Sequence, residues 1–480
     1  MAIGMWKYLD LVLVEFRVCF NRKATFYYFI IIVIGLMLSS DSAGITSIIR
    51  TLGLEPTGYE ALVHFFRSSA WTLAVVRKQW MWIVKNSGVL FTENGMPILI
   101  GDGVKQPKEG KKMPGVKRMH QESENSGKPE YIFGHMFGVV GVLVGNVGKL
   151  FCLPLSASLQ DGDKVMRKWA DEAYESVSHV VQIVRDAFSI AVVFGDCILV
   201  LDAYFFTTSL LKDLAKQAVE FDRKLSIVTR ARMSTIAYTL PIPHKGRGRP
   251  RKKGEAIKLK QLFESEEENF TQAKVWLYGK EETILYLCKD LLWGAGFYEL
   301  LRFVLVKIGD KRVIVVCTNF SFTAEQAICL YGYRFKIEVT FRTLKQLLKG
   351  FAYHFWSASM PKLNRFAKKE ESDPLAQVRG KKERNRILLA LKAIEGYVTM
   401  SLIANGLLQL LSLKYSALQG KSSFCWLRTA SGSIVTEASM SMFLRKEIFM
   451  QFHKQPHLAI LQIIRSRMAL NNDSDLPGAA

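Results

Sequence analysis

Residues 1 to about 92 carry a helical pattern of apolar and polar positions. Ala24–Leu38 is apolar on every side, with Asn21, Arg22 and Lys23 before it and Ser39, Ser40 and Asp41 after it. At about 15 residues it is shorter than the ~20 a bilayer requires, so it predicts a buried helix. In Ala43–Leu52, Ile45, Ile48, Ile49 and Leu52 recur at helical spacing; Gly53 and Pro56 follow, then a second helix over Thr57–Arg67. Helix, glycine turn, helix suits a DNA-binding helix-turn-helix and equally an ordinary helical hairpin.

At Met96 the period changes. Pro97–Gly101 is a short apolar run ending at Asp102; Phe133–Val144 and Leu150–Leu153 are two more, and their spacing predicts strands of one sheet. Lys164–Asp186 places Met166, Trp169, Ala173, Val177, Val180 and Val184 three or four apart, which predicts one amphipathic helix. A buried strand (Ile198–Leu201) ending at Asp202, a helix (Thr208–Phe221) and a strand (Leu225–Thr229) follow. This order predicts an α/β layer architecture. From Thr239 to Arg302 the pattern breaks into short β-rich runs, such as Lys274–Tyr278 and Thr283–Leu287, around an acidic patch, and reads as an insertion. Arg302–Lys307 and Arg312–Thr318, joined at Gly309–Asp310, predict a hairpin. A long helix is expected over Thr323 to about Leu348, and the chain is helical again from Asp373, with an apolar stretch at Val398–Leu413 interrupted by Asn405 and Gln409.

Composition adds a partner. Lys and Arg number 65 against 43 Asp and Glu, a net charge of +22, while 49 % of residues are hydrophobic. The apolar share excludes a disordered chain, and the charge points to a polyanion, either nucleic acid or an anionic membrane surface. No basic amphipathic helix with a Trp/Leu face supports the membrane. Lys7, Asp10, Glu15 and Arg17 break any secretory signal core. Seven scattered cysteines with no paired spacing read as reduced thiols of a cytoplasmic protein. The histidines show no zinc-ligand spacing, although His120 and His135 lie near the residues discussed next, and no phosphate-binding glycine loop signals a nucleotide cofactor.

Tyr331, Arg334, Glu338 and Lys345 fall within roughly 60° of one another on an ideal helix, along about 21 Å. One carboxylate among two cations and a phenol can hold a hard metal ion and clamp phosphates. The same spacing describes an exposed stripe with an Arg334–Glu338 ion pair. Asp102 and Asp202 each close an apolar run, where a charge is costly unless something pairs with it. Strand ends of an open α/β sheet are also where such folds bind ligands. Two strand-end aspartates and a helix glutamate can converge on two Mg²⁺ ions that activate a water or a 3′-hydroxyl for phosphoryl transfer.

These residues carry a resemblance. The segment GDGVKQPKEGKKMPGVKRMHQESENSG (Gly101–Gly127) looks like the region around the first aspartate of DDE transposases from bacterial insertion sequences. VLDAYF around Asp202 resembles the second-aspartate motif, and YGYRFKIEVTFRTLK fits the signature Y-(2)-R-(3)-E-(6)-K at every defined position. The gap of roughly 135 residues between Asp202 and Glu338 suits the subgroup with a β-rich insertion. The resemblance covers about Met96 to Trp356 well and the flanks only loosely. It implies a ribonuclease H-like core with Asp102, Asp202 and Glu338 as catalytic, metal-binding acids for Mg²⁺ (Mn²⁺ as substitute), and Tyr331, Arg334 and Lys345 as contacts to transposon-end DNA. It also implies cut-and-paste transposition: strand cleavage, a hairpin at the freed end, then joining of 3′-ends to target DNA.

Two basic segments fit that partner. Lys105–Arg118 contains Lys105, Lys111 and Lys112 and follows Asp102 directly; phosphate contact and a solvated loop are its two readings. Lys245–Lys260 centres on Gly246-Arg247-Gly248-Arg249-Pro250, which resembles an AT-hook, with a nonspecific basic loop as the alternative. Trp276 and Trp293 are candidates to stack on a base extruded near the cut, or else pack in the insertion's own core.

The expectation is therefore an α/β protein with a ribonuclease H-like core interrupted by a β-rich insertion and flanked by helical regions. Its boundaries are 1–92 (helical, end-binding), 93–238 (core), 239–302 (insertion), 303–372 (core) and 373–480 (helical, a candidate for dimerisation). The expected activity is that of a Mg²⁺-dependent DNA transposase in the bacterial cytoplasm, associated with the nucleoid. It would act on double-stranded transposon ends and target DNA as a homodimer, without membrane or nucleotide cofactor. A nuclease of the same fold that does not join strands, and an inactive DNA-binding derivative of a transposase, are the alternatives.

Overall fold

A computed structural model describes residues 2–41, 44–120, 130–242, 250–365, 373–415 and 435–469. Five helices open the chain: α1 (Ala2–Val14), α2 (Lys23–Leu38), α3 (Ile45–Leu52), α4 (Gly58–Arg67) and α5 (Leu73–Lys85). As its pattern predicts, α2 is buried on nearly all sides. Gly35 lets α3 approach closely, since a Cβ there would collide with the Ile48 side chain. Gly53 closes α3 in the left-handed conformation, and α4 follows, so the expected helix–turn–helix pair forms.

Among the described residues thirteen strands then build one mixed sheet: β1 (Thr92–Glu93), β2 (Met96–Pro107), β3 (Lys117–His120), β4 (Tyr131–Asn146), β5 (Lys149–Gln160), β6 (Cys197–Leu201), β7 (Leu225–Ala231), β8 (Ile236–Tyr238), β9 (Ala256–Lys258), β10 (Thr271–Leu277), β11 (Lys280–Trp293), β12 (Glu299–Ile308) and β13 (Lys311–Cys317). Its centre runs β5-β4-β2-β6-β7. β4 is antiparallel to both β5 and β2, while β6 is parallel to β2 and β7 to β6. β13 adds antiparallel to β7, and β12 and β11 continue outward. The β-rich stretch is thus continuous with the central sheet, and β12 begins within the span read as the insertion. The predicted hairpin turn is present, with Gly309 at φ +53°.

The helix expected over Lys164–Asp186 is two: α6 (Lys164–Ala170) and α7 (His179–Phe194). Between them a polar, largely exposed stretch has no apolar face to dock, and Ser178 accepts a hydrogen bond from the Val181 N–H to start α7 afresh. α8 (Thr208–Phe221) matches the pattern, and the short α9 (Leu262–Ser265) lies in the β-rich stretch.

The sheet is covered by α12 (Lys381–Tyr415), which packs on β5 and against α2, α4 and α5. α10 (Ala324–Gly332) and α11 (Lys336–Arg342) precede it; α13 (Glu437–Lys454) and α14 (Ala459–Arg465) follow and pack on α1 and α2. The N-terminal and C-terminal helices thereby form a single layer. Among the described residues α12 is the one helix long and apolar enough to cross a membrane, and 83 % of its apolar stretch is buried inside the protein. Val398–Leu413, the apolar stretch of the 373–480 region expected to support dimerisation, is enclosed almost entirely by its own chain.

Candidate active site

Asp102 does not end its strand. β2 continues to Pro107, paired only with β4, where Asp102 faces Val139. What ends at Gly101 is the pairing with β6, whose last residue Leu201 lies opposite Gly101. Asp202 leaves β6 at that point, so parallel register sets the two aspartates side by side. The Asp202 carbonyl accepts a hydrogen bond from Thr229 Oγ1 of β7 (3.0 Å), which holds the turn.

The third acid arrives on an irregular helix. α10 starts from a reciprocal capping box between Thr323 and Gln326. It then tightens to a 3₁₀ turn over Tyr333–Phe335, returns to α-helix in α11, and widens to a π turn over Thr343–Leu347. The ideal helical angles used for the sequence therefore do not hold. Packing brings the stripe to the aspartates all the same, and a π turn of this kind is frequent at functional sites.

Arg334 lies at the centre. Its guanidinium is 3.5 Å from Asp102 Oδ2 and 3.9 Å from Asp202 Oδ1, and it donates to Glu338 Oε1. Tyr331 Oη donates to Asp202 Oδ1 at 3.4 Å. Lys345 Nζ stands 3.5 Å from the carbonyl of Lys105, three residues beyond Asp102 on β2. Burial pushes the Asp102 carboxyl up to about 6, opposed by the Gly103 N–H (2.7 Å) and by Arg334. Burial likewise pushes the Tyr331 phenol up to about 12, so it stays protonated as a donor at neutral pH. Glu338 is exposed.

The donor set, three carboxylates, has the chemistry of a hard divalent cation site. Among the described residues no three His, Cys, Asp or Glu side chains are grouped to hold a metal ion as placed. The group lying among these three acids is the Arg334 guanidinium.

Two residues not singled out from the sequence also face the site. A cavity of about 140 Å³ beside Asp202 is lined by Tyr331, Arg334 and Phe335, and by Arg230 and Tyr278. Tyr278 sits at the β10–β11 hairpin tip at φ +54°, is exposed, and has its ring 5.5 Å from that of Phe335. Hairpin tips are hard to place from sequence, because the partner across the cavity lies over 50 positions away. Of the two tryptophans considered from the sequence, Trp293 stacks on Phe206 at 3.9 Å, and Trp276 lines an adjoining cavity of about 480 Å³ that shares Tyr278 and Phe335 with the first.

The basic loop divides. Lys105 Nζ donates to the His120 carbonyl and Lys112 Nζ to that of Ala358, while Lys111 is exposed. Lys108 is buried under Tyr353, where burial lowers its ammonium to about 8, and Lys117 pairs with Asp161 at 2.9 Å. His135 is fully buried: it donates to the Pro114 carbonyl and accepts from Tyr353 Oη, and burial lowers it to about 3, which makes it a structural residue. Arg247 and Arg249 lie outside the described residues.

A sequence model of the family described as DDE superfamily endonuclease matches residues 15–281, more than half of the chain. The match contains Asp102 and Asp202 and stops short of Glu338. No curated protein matches the chain.

Proposed function

The chain belongs to the DDE superfamily endonucleases, and from that premise we propose that it is a DNA transposase working by cut-and-paste. The observation that carries the reading is the contact of Arg334 with three acids drawn from two adjacent parallel strands and from its own helix. The central order β5-β4-β2-β6-β7, antiparallel on one side and parallel on the other, supports a ribonuclease H-like core. The strands between β7 and the Glu338 helix support the insertion-bearing subgroup of bacterial insertion sequences, with the boundaries given above.

In this reading Asp102, Asp202 and Glu338 would hold Mg²⁺, with Mn²⁺ as substitute. Bound there, two such ions supply activation of a water or 3′-hydroxyl and stabilisation of the leaving oxygen. Arg334 offsets part of the negative charge of the three acids, and its planar fork also suits phosphate oxygens. Tyr331 keeps its proton and orients Asp202. Lys345 of the π turn, beside Lys105 of β2, clamps the phosphate backbone with it, and Lys111 and Lys112 continue that path. Tyr278 and Phe335 offer ring faces to an unstacked base, a role for which Trp276 and Trp293 are the candidates from the sequence. Two transposon ends must meet, so a dimer is the smallest working assembly, using surfaces other than Val398–Leu413.

If Lys345 clamps a phosphate, Lys345→Ala should lower the slope of log affinity against log salt by about 0.9 for duplex DNA. Anisotropy titrations over a salt series measure this, and an unchanged slope removes Lys345 from the interface. The whole reading is tested on the DNA flanking the gene. Short inverted repeats bounded by a target duplication are expected there. Duplexes ending in those repeats should be cut and joined to a plasmid when Mg²⁺ is added. Cutting without joining would make the protein a nuclease of this fold, and binding without cutting an inactive derivative.

A further inference from the structure

A second surface of the molecule has the character of a DNA contact. α4 buries Leu62, Phe65 and Phe66 and presents Tyr59, Val63 and Arg67, spaced four apart, on the adjoining flank. That flank forms one wall of a groove of about 570 Å³, whose other walls are residues 352–358 and the start of α12. Trp356 is 57 % exposed and Tyr59 42 % exposed along it, so neither ring is held there by core packing. Arg67 and Arg386 also line it, against a single carboxylate in its lining, Glu60. The chain entering α12 reads RGKKERNR, and its Arg379, Lys381, Lys382 and Arg386 are all exposed. No described carboxylate forms an ion pair with these four. Lys381 and Lys382 stand in the first turn of α12, where a cation works against the helix dipole, so they do not stabilise the fold.

The groove is fastened to the candidate active site. β2 runs from Asp102 to Pro107, about 17 Å at ~3.3 Å per residue. Lys108 then donates to the carbonyls of Phe351 and Tyr353, and the Lys112 carbonyl accepts from the Ser357 N–H at 3.2 Å. A protein partner would call for an apolar centre depleted of charge. Exposed cations with interleaved aromatics instead match a sugar-phosphate backbone.

We propose that this groove and its basic rim grip the backbone of duplex DNA beyond the point of cleavage. Contact would begin roughly five base pairs from the carboxylates, at ~3.4 Å per pair. This rests on the reading of the carboxylate site as one that cuts DNA. The enzyme then holds its substrate at two separate places, and the second contributes affinity without touching the chemistry.

The test is a full-length triple variant, Lys381→Gln, Lys382→Gln and Arg386→Gln, which removes surface charge without burying anything. Binding to a 40-base-pair duplex is followed by anisotropy over a salt series. The salt slope should fall by about 2 to 3, at ~0.9 per lost phosphate contact, and affinity near 0.1 M salt by tenfold or more. Trp356→Ala should weaken binding with the slope kept. A triple variant with wild-type slope and affinity overturns the inference and leaves the cleavage reading standing; a wild-type protein that binds no duplex overturns both. Loss of binding to anionic lipid vesicles with DNA affinity unchanged would assign the patch to a membrane surface and also overturn it.

Discussion

Asp202→Ala is expected to abolish DNA cleavage while leaving DNA binding within about twofold. The Asp202 carboxylate is contacted by Arg334 and by the Tyr331 hydroxyl, and it follows the last residue of β6. Nothing in the fold hangs on that carboxylate, because the hydrogen bond holding this turn is made by the Asp202 backbone carbonyl to Thr229. Its side chain is half-exposed, so alanine leaves no cavity, and removing one of three neighbouring negative charges relieves repulsion. If the carboxylate belongs to the reacting centre, cleavage should fall by at least about 10³-fold, or ~4 kcal/mol of transition-state stabilisation. A single-turnover assay on a labelled duplex, with anisotropy for binding, reads both quantities. Cutting at the wild-type rate would remove Asp202 from the chemistry.

The largest effect on stability is expected away from the site, at Glu395. This residue is buried in the middle of α12. Its Oε1 accepts from Arg167 Nη2 at 2.8 Å and from the Leu159 N–H of β5 at 3.1 Å. Arg167 also binds Asp163, and Arg77 of α5 lies close enough to feel the charge while donating to Thr399 on α12. One carboxylate therefore ties α12 to β5, α5 and α6. Glu395→Ala takes a buried counter-charge away from Arg77 and leaves Arg167 with Asp163 alone, and removal of one partner of such a buried group costs about 3–5 kcal/mol. Urea denaturation should show a loss of that size, with Glu395→Gln, which keeps hydrogen-bonding capacity, losing less. A loss under about 1 kcal/mol would show that the network is not stabilising.

The same group predicts a pH dependence. Burial raises the Glu395 carboxyl, but the charges of Arg167 and Arg77 outweigh it and hold the group below the ordinary glutamate range. A depressed value means that the native state favours the charged form. Its contribution is complete above the unfolded-state value of about 4.3 and is lost as pH falls through the lower folded value. The stability gap between wild type and Glu395→Gln should accordingly close in acid below about pH 4.

The acids of the candidate site were legible because each stands beside a strong local pattern: PILIG before Asp102, ILVL before Asp202, and the Tyr-Arg-Glu-Lys spacing around Glu338. The strand end at Asp102 was misread because an apolar run stops where burial on both faces stops, and pairing with β4 alone carries the strand five residues further. The single helix over Lys164–Asp186 was misread because apolar residues at helical steps continue across a segment that has nothing to pack against. Lys108 and His135 looked like cleft residues by proximity in sequence and are in fact buried under Tyr353. Tyr278 closes the run Lys274–Tyr278 and Arg230 follows Leu225–Thr229, but neither run, nor the basic rim of α12, carries a spaced motif that marks a site.

By itself the sequence determined the menu of elements and the excess of cations and singled out three candidate acids, because periodicity, charge and residue type are local properties. Only the tertiary structure decided that Gly101 lies opposite Leu201, which sets Asp102 beside Asp202, and that an irregular helix lays Arg334 among all three acids. It also decided that the first and last helices share one layer, with an apolar helix of membrane-spanning length buried in it. Register and packing are contests among segments far apart in the chain, settled by which pairing buries the most apolar surface while satisfying the backbone, and no local window contains both contestants.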